Sequence, residues 1–198
     1  MLSTTTEVLD LAQKLGALPV ANIGDSMDRL GVVDSGIRAV WRGARIAGPA
    51  FTVEVASGDN AGIHAALPLI TKGSVLVVNG HGATDRALVG ELIAEKLRKI
   101  GCIGIVIDGA IRDVGDLEEM AFPTFARASS PAGPYKNGPY RIQVPVAIGG
   151  VVVQPNDIVV ADRDGVAIVP SAEAEAILHK ARDKNRVEAR TRAAILAT

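Results

Sequence analysis

The apolar positions of the chain change period several times, and each change marks an element. Val8, Leu9, Leu11, Ala12 and Leu15 recur at helical spacing up to Gly16, which predicts a helix over 4–16, and a second short helix is expected from about Asn22 to Leu30. Residues 47–56 contain the alternating run Phe51-Thr52-Val53-Glu54-Val55, a strand, after which Gly58-Asp59-Asn60 can open a helix carrying Ile63, Ala66, Leu67 and Ile70. Val75 to Val78 is apolar without interruption, as in a strand covered on both faces. From Ala87 to Ile100 the apolar residues fall at 88, 89, 92, 93, 97 and 100, a helical period closed by Gly101. Ile103 to Ile107 is a second buried strand, so residues 75–107 form a strand–helix–strand unit whose connection is long enough for a parallel crossover.

The second half is richer in short β segments. Val144 to Ile148, Val151 to Val153, Ile158 to Ala161 and Val166 to Val169 are separated by turns at Gly149-Gly150, Pro155-Asn156-Asp157 and Asp164-Gly165. Ser129 to Arg141, with three prolines and two glycines, reads as a surface loop. From Ser171, a candidate N-cap, to about Leu196 the pattern is helical and rich in Arg and Lys. At 1.5 Å per residue that is roughly 35 to 40 Å, enough to reach past its own globule. The reading is a single α/β domain over 1–170 with a helical extension over 171–198.

Composition narrows the chemistry. A net charge of −1 supplies no field for nucleic acid or an anionic membrane, and with 3% aromatic residues there is no set of stacking platforms for bases. No apolar run approaches the roughly 20 residues that span a bilayer, and the first residues lack a basic segment followed by an apolar one, so a cytoplasmic protein is expected. The single cysteine, Cys102, excludes an internal disulfide and sits in an apolar run as a buried thiol.

Two short motifs carry candidate chemistry. Asp108-Gly109-Ala110-Ile111-Arg112-Asp113 follows a buried strand, at the carboxyl end where sites collect in open α/β sheets. Alone, the Arg112-Asp113 pair reads as well as a loop salt bridge. Gly90-Glu91 stands twenty residues earlier. If the helix runs through from 87, Gly90 is a weak point and Glu91 part of a solvated face. If it begins near Gly90, the N–H groups of Leu92 and Ile93 are unpaired at the positive end of a helix dipole and can bind a carboxylate. Other features are weaker. His64 and His81 have no acidic orienter nearby in sequence, Gly80-His81-Gly82 lacks the third glycine of a dinucleotide loop, and Asp162-Arg163-Asp164-Gly165 reads as a hairpin turn rather than a calcium loop.

The arrangement Gly90-Glu91, twenty intervening residues and Arg112-Asp113 resembles the signature of the class II pyruvate aldolases typified by 4-hydroxy-4-methyl-2-oxoglutarate/4-carboxy-4-hydroxy-2-oxoadipate aldolase. Val106 to Asp113, Gly58-Asp59-Asn60 and the stretch from Gly149 to Val166 are similar to that family as well, and the likeness extends to the related regulators of ribonuclease activity, which tend to lack the aspartate after the arginine. The resemblance implies a layered α/β/β/α domain, a homotrimer or dimer of trimers with sites between subunits, and a C-terminal helix packed on a neighbour. It implies a lyase that cleaves 4-hydroxy-2-oxo acids to pyruvate and decarboxylates oxaloacetate, with Mg²⁺ or Mn²⁺ held by Asp113. Arg112 would bind the substrate carbonyl oxygen, Leu92 and Ile93 after Gly90 its carboxylate, and Glu91 would order water as a relay. A carboxylate from a neighbour's extension would complete the site, with Glu188 as the candidate and Glu173, Glu175 and Asp183 as competitors. The alternative is a non-enzymatic, protein-binding regulator of ribonuclease activity.

Overall fold

A computed structural model describes residues 5–197, and in it β2 (Ile46–Val55) organises the molecule by belonging to two layers at once. Its second half, Ala50 to Glu54, pairs in parallel with Val75 to Asn79 of β3 (Val75–Val89), while Ile46 to Pro49 pair antiparallel with β9 (Ile158–Asp162). On one side the sheet continues in parallel through β4 (Gly104–Ile111) and β5 (Thr124–Ser129), and ends at the two-residue β1 (Arg38–Ala39). On the other it ends at β10 (Gly165–Val169), and β6 (Tyr140–Ile142) adds to the far end of β2. A separate hairpin joins β7 (Val146–Ile148) to β8 (Val151–Val153).

The two-residue side-chain period of the strands sorts their apolar residues into three cores. Leu76, Val78, Ile105 and Ile107 face α3 (Ala61–Ala66) and α4 (Glu91–Ile100), packing with Ile63, Ile93, Ala94 and Leu97. Their neighbours Val75, Val77 and Val106 point the other way, to meet Val159, Val166, Ile168 and the hairpin's Val146 and Ile148. Ile158, Val160, Ala167 and Val169 form a third core with Val8 and Leu15 of α1 (Thr5–Gly16), Ile23 of α2 (Val20–Ser26) and Ile177 and Leu178 of α6 (Ala174–Leu196). Three cores separate four layers, α/β/β/α, and the fold is the mixed α/β class expected. Each fully buried Leu, Ile or Val contributes about 1.5–3 kcal/mol relative to exposure.

Several elements differ from their sequence expectation. The helix expected from Ala87 begins only at Glu91: β3 runs on to Val89, and Ala87, Leu88 and Val89 are buried in the sheet. The motif around Asp108 is not a loop until Arg112, because β4 extends through Ile111. Both extensions need irregular register, with shifts between Asn79 and Val89 where β3 crosses β4. The second helix starts earlier, at Val20, and stops at Ser26. Ser171 does not cap α6. It opens a single 3-10 turn and its N–H donates to Asp157 Oδ1 at 3.0 Å. The proline-rich segment carries β6 at its end, and α5 (Val114–Glu119) is an added turn after the Arg112-Asp113 pair. No described helix is long and apolar enough to cross a membrane.

Candidate active site

The parallel strands β3 and β4 lie side by side and finish together, Val89 opposite Ile111, so their last residues deliver Gly90 and Arg112 to one spot. The Arg112 N–H donates to Val89 O at 3.0 Å and fixes the juxtaposition. The chain then turns sharply. Asp113 adopts a left-handed backbone, φ 56° and ψ 45°, which Asp tolerates better than most side chains because it is short and polar. That turn swings its carboxylate back over the start of α4, where Oδ2 accepts the N–H of Glu91 at 3.0 Å and lies 3.4 Å from Arg112 Nε. A cap of this kind satisfies one of the four orphan donors of a helix and places negative charge at the positive end of its dipole.

Gly90 is required by this closeness rather than by its backbone angles. A Cβ there would overlap Asp113 Oδ2 and come within 2.9 Å of Arg112 Cγ and 3.1 Å of Arg112 Nε. Beyond the cap, the N–H of Leu92 has no partner among the described residues. Ile93 differs from its expectation: its N–H is directed at Gly90 O, 3.2 Å away, because the first turn tightens onto that carbonyl. One free amide, not two, therefore stands at the helix start.

Gly90, Leu92, Ile93 and Arg112 line a cleft of about 210 Å³, together with Asn60, His64, Lys96, Pro134 and Lys136. Its polar lining is almost all cationic or neutral. Asn60 is 2% exposed, and its Nδ2 donates to Leu88 O at 3.0 Å while its Oδ1 is buried without any donor. Leaving such an acceptor unmatched costs about 1–3 kcal/mol. His64, one turn along α3 from Asn60, is held below the ordinary imidazole range, first by burial and then by the charges of Lys136 and Lys96.

Sequence reasoning missed Asn60, His64, Lys96 and Lys136 as cleft residues. The spacing of Asn60 and His64, four apart at the start of a helix, was a usable signal, since it puts both on one face. Nothing local points to Lys96 or Lys136, which arrive from α4 and from the segment before β6. His81 does have an acidic neighbour, Glu54 of β2 at 3.8 Å, but that pair borders a different cleft, with Tyr140 and Arg141. Asp108, the first residue of the motif, faces away from the site: it pairs with Arg127, which also holds Asp34 at 3.0 Å, and accepts Gly149 N–H at 2.7 Å. It ties β4 and β5 to the β7–β8 hairpin.

Glu188 is not in this cleft. It lies on α6, half exposed, 3.4 Å from Lys184, which is also bound to Asp25 at 2.9 Å. Of its competitors, Asp183 pairs with Arg186, while Glu173 borders another cleft of about 430 Å³ between α2, β8 and α6. From Arg186 to Ala197 every residue of the helix is exposed, including Val187, Ile195 and Leu196.

A family profile described as "RraA-like: Aldolase/RraA" matches residues 20–168. The chain is 36% identical over 186 residues to a Halalkalibacterium halodurans protein named "Putative 4-hydroxy-4-methyl-2-oxoglutarate aldolase", covering 93% of this chain and 89% of that one. Among solved structures, an uncharacterized protein of Pseudomonas syringae pv. tomato superposes with a TM-score of 0.87 at 28% identity, covering 95% of this chain and 89% of the other. Streptomyces coelicolor RraAS2, described as an unusual member of the RNase ES inhibitor RraA protein family, gives 0.83 at 30%, covering 92% and 96%.

Proposed function

Because the chain belongs to the Aldolase/RraA family, we propose that it is a divalent-metal-dependent lyase that releases pyruvate from 4-hydroxy-2-oxo acids and from oxaloacetate. One observation carries this reading: the Asp113 carboxylate and the Arg112 guanidinium are folded onto the start of α4, and Arg112 lines a cleft together with Lys96, Lys136 and Asn60, whose Oδ1 is an orphaned acceptor.

The donor set suits Mg²⁺ or Mn²⁺. Asp113 keeps Oδ1 free of hydrogen bonds among the described residues, and its side chain is a third exposed. Among the described residues no three His, Cys, Asp or Glu side chains are grouped so that they could hold a metal ion together, which does not suit zinc but does suit a hydrated hard cation held by one or two carboxylates. When bound, such an ion supplies Lewis-acid stabilisation of an enolate.

The chain's own residues account for the rest. The free N–H of Leu92, at the positive end of α4, binds the substrate's C1 carboxylate, as helix starts do. Arg112 donates to the C2 oxygen. When the C3–C4 bond breaks, its electrons pass through C2 to that oxygen, so this contact strengthens towards the transition state. The C4 hydroxyl is held by a hydrogen bond to Asn60 Oδ1 beside neutral His64, and as the new carbonyl forms its proton passes to water ordered by Glu91, the same water that supplies the proton taken up at C3. Protonation at C3 then gives pyruvate. In oxaloacetate the same bond releases CO₂ and leaves the same enolate. Lys96 and Lys136 receive the carboxylate borne by the C4 end. The exposed end of α6 packs on a neighbour in a trimer or dimer of trimers and brings Glu188 to that neighbour's cleft.

The experiment is pyruvate release from oxaloacetate and from 4-hydroxy-4-methyl-2-oxoglutarate, before and after EDTA and with Mg²⁺ or Mn²⁺ restored. Turnover abolished by EDTA and regained with metal is the expected result. No release from either compound under any of these conditions overturns the reading and leaves the non-enzymatic regulator.

A further inference from the structure

Lys136 reaches the cleft from an irregular segment with no regular structure of its own, yet that segment is gripped on both sides of it. Ahead of Lys136, the main chain of Tyr135 pairs with the start of α3: its N–H donates to Gly58 O at 2.8 Å, and its carbonyl accepts from Asn60 N at 3.0 Å. The Tyr135 side chain is clamped by Arg86 of β3, whose guanidinium carbon lies 4.2 Å from the ring centre and whose Nη2 donates to the phenol oxygen at 2.9 Å. The other terminal nitrogen, Nη1, donates to Gly133 O at 2.8 Å, and the next residue of β3, Ala87, donates its N–H to Ala132 O at 2.8 Å. After Lys136, the buried carboxylate of Asp59 accepts the N–H of Asn137 at 2.5 Å and of Gly138 at 3.1 Å through Oδ2, while Oδ1 takes Ala61 N–H at 2.8 Å.

One carboxylate thus joins the segment that carries Lys136 to the helix that carries Asn60 and His64. Asp59 is 3% exposed, and burying a charged group is tolerated only when its hydrogen bonds are met. Here they are met by three main-chain amides, two of them in this segment. Nothing in the cap on α3 requires the second oxygen.

We propose that Asp59 and Arg86 are positioning residues that fix Lys136 over the cleft, and that they thereby set its preference for substrates with a second, distal carboxylate. The proposal rests on the lyase reading for the identity of the ligand. Asp59 and Arg86 themselves touch no substrate. A long flexible lysine on an unheld loop would keep its charge near the cleft but lose most of its orientation, and orientation separates a charge-assisted hydrogen bond from a diffuse, screened attraction.

Two probes without a 4-hydroxyl test this by calorimetry in the presence of Mg²⁺: 2-oxoglutarate, which has the distal carboxylate, and 2-oxobutyrate, which lacks it. Wild-type protein should prefer 2-oxoglutarate by about tenfold or more, the share of one charge-assisted hydrogen bond. Asp59→Asn and Arg86→Gln should each cut that preference to about threefold or less with the 2-oxobutyrate affinity unchanged. In a Lys136→Met background neither should reduce it further. Arg86 is only partly buried, so Arg86→Gln tests the idea even if Asp59→Asn misfolds. Equal losses for both probes, a preference retained in folded variants, or no wild-type preference overturns the proposal. Binding of 2-oxobutyrate without preference sinks the positioning role alone. Absence of binding to both, together with no pyruvate release, sinks the lyase reading beneath it.

Discussion

The backbone N–H of Glu91 and the carboxylate of Asp113 meet at 3.0 Å across the ends of two parallel strands, twenty-two residues apart in the chain. This bond makes the two sequence motifs one structure: the aspartate that would hold a metal is also the cap of the helix that would hold a carboxylate.

Gly90 is the position most sensitive to this arrangement. With Gly90→Ala the new methyl must displace Asp113 Oδ2 and crowd Arg112 Cγ, while the helix behind it remains packed through Ile93, Ala94 and Leu97. Overpacking of this size costs about 1–3 kcal/mol, but a misplacement near 1 Å at reacting groups costs about a hundredfold in rate. The expected outcome is a small fall in melting temperature with kcat reduced about a hundredfold. Full activity would show that Asp113 is free to move without consequence.

Asp113→Asn separates capping from ligation. Asparagine also tolerates the left-handed backbone, and its amide oxygen can still accept the Glu91 N–H, so the fold should stay within about 1 kcal/mol of wild type. An amide is a much poorer ligand than a carboxylate for Mg²⁺. Metal affinity measured by calorimetry should fall, and kcat should drop by at least about a hundredfold, as expected when several kcal/mol of transition-state stabilisation are lost. Near wild-type turnover at low metal would end the assignment.

The His64 imidazole reports the field of the cleft. Burial, then Lys136 and Lys96, hold its pKa below the ordinary imidazole value of about 6.5. The native state therefore favours the neutral ring. As pH falls below 6.5 the unfolded chain takes up this proton first, so His64 removes stability in that window until its folded pKa is passed, and costs nothing above it. Titration of the His64 ring signals by NMR should give a value under 6.5. Lys136→Met should raise it without restoring 6.5, because burial remains the larger cause. An unmoved titration would place Lys136 away from the ring.

Much of this was legible in the chain, for identifiable reasons. The continuous apolar runs Val75 to Val78, Ile158 to Ala161 and Val166 to Val169 mark strands buried on both faces, whereas the four-layer arrangement was implied by the family resemblance and not by these patterns. The start of α4 was ambiguous because Leu88 and Val89 satisfy a helical period and a strand equally well. The sheet decides it, since Val89 has Ile111 of β4 to pair with. Arg112, Asp113 and Gly90 could be found because they are local to two motifs. Lys136 and the Asp59 clamp could not, since their meaning depends on a contact between residues seventy-eight apart, Asp59 and Asn137.

The last prediction concerns α6. Its first turns are buried through Ala174, Ile177, Leu178 and Ala181, whereas from Arg186 onward it leaves its own globule with Val187, Ile195 and Leu196 exposed. If that end packs on a neighbour and delivers Glu188 there, each site combines Asp113 of one subunit with Glu188 of the next. Homo-oligomers of Asp113→Ala and of Glu188→Ala should then both be defective, and their co-expression should restore activity. In a heterologous ring assembled at random from equal amounts, roughly a quarter of sites have Asp113 on one side and Glu188 on the other, so about a quarter of wild-type activity is expected. Both substitutions on one chain, mixed with nothing, should give background. Release of Glu188 from Lys184 is part of the move, and since that pair is exposed its loss should cost little. Mixed oligomers shown by mass spectrometry to contain both chains, yet no more active than either parent, would show that no site is shared in this way. A fully active Glu188→Ala would instead remove Glu188 alone, and make Asp183 and Glu175 the carboxylates to substitute next.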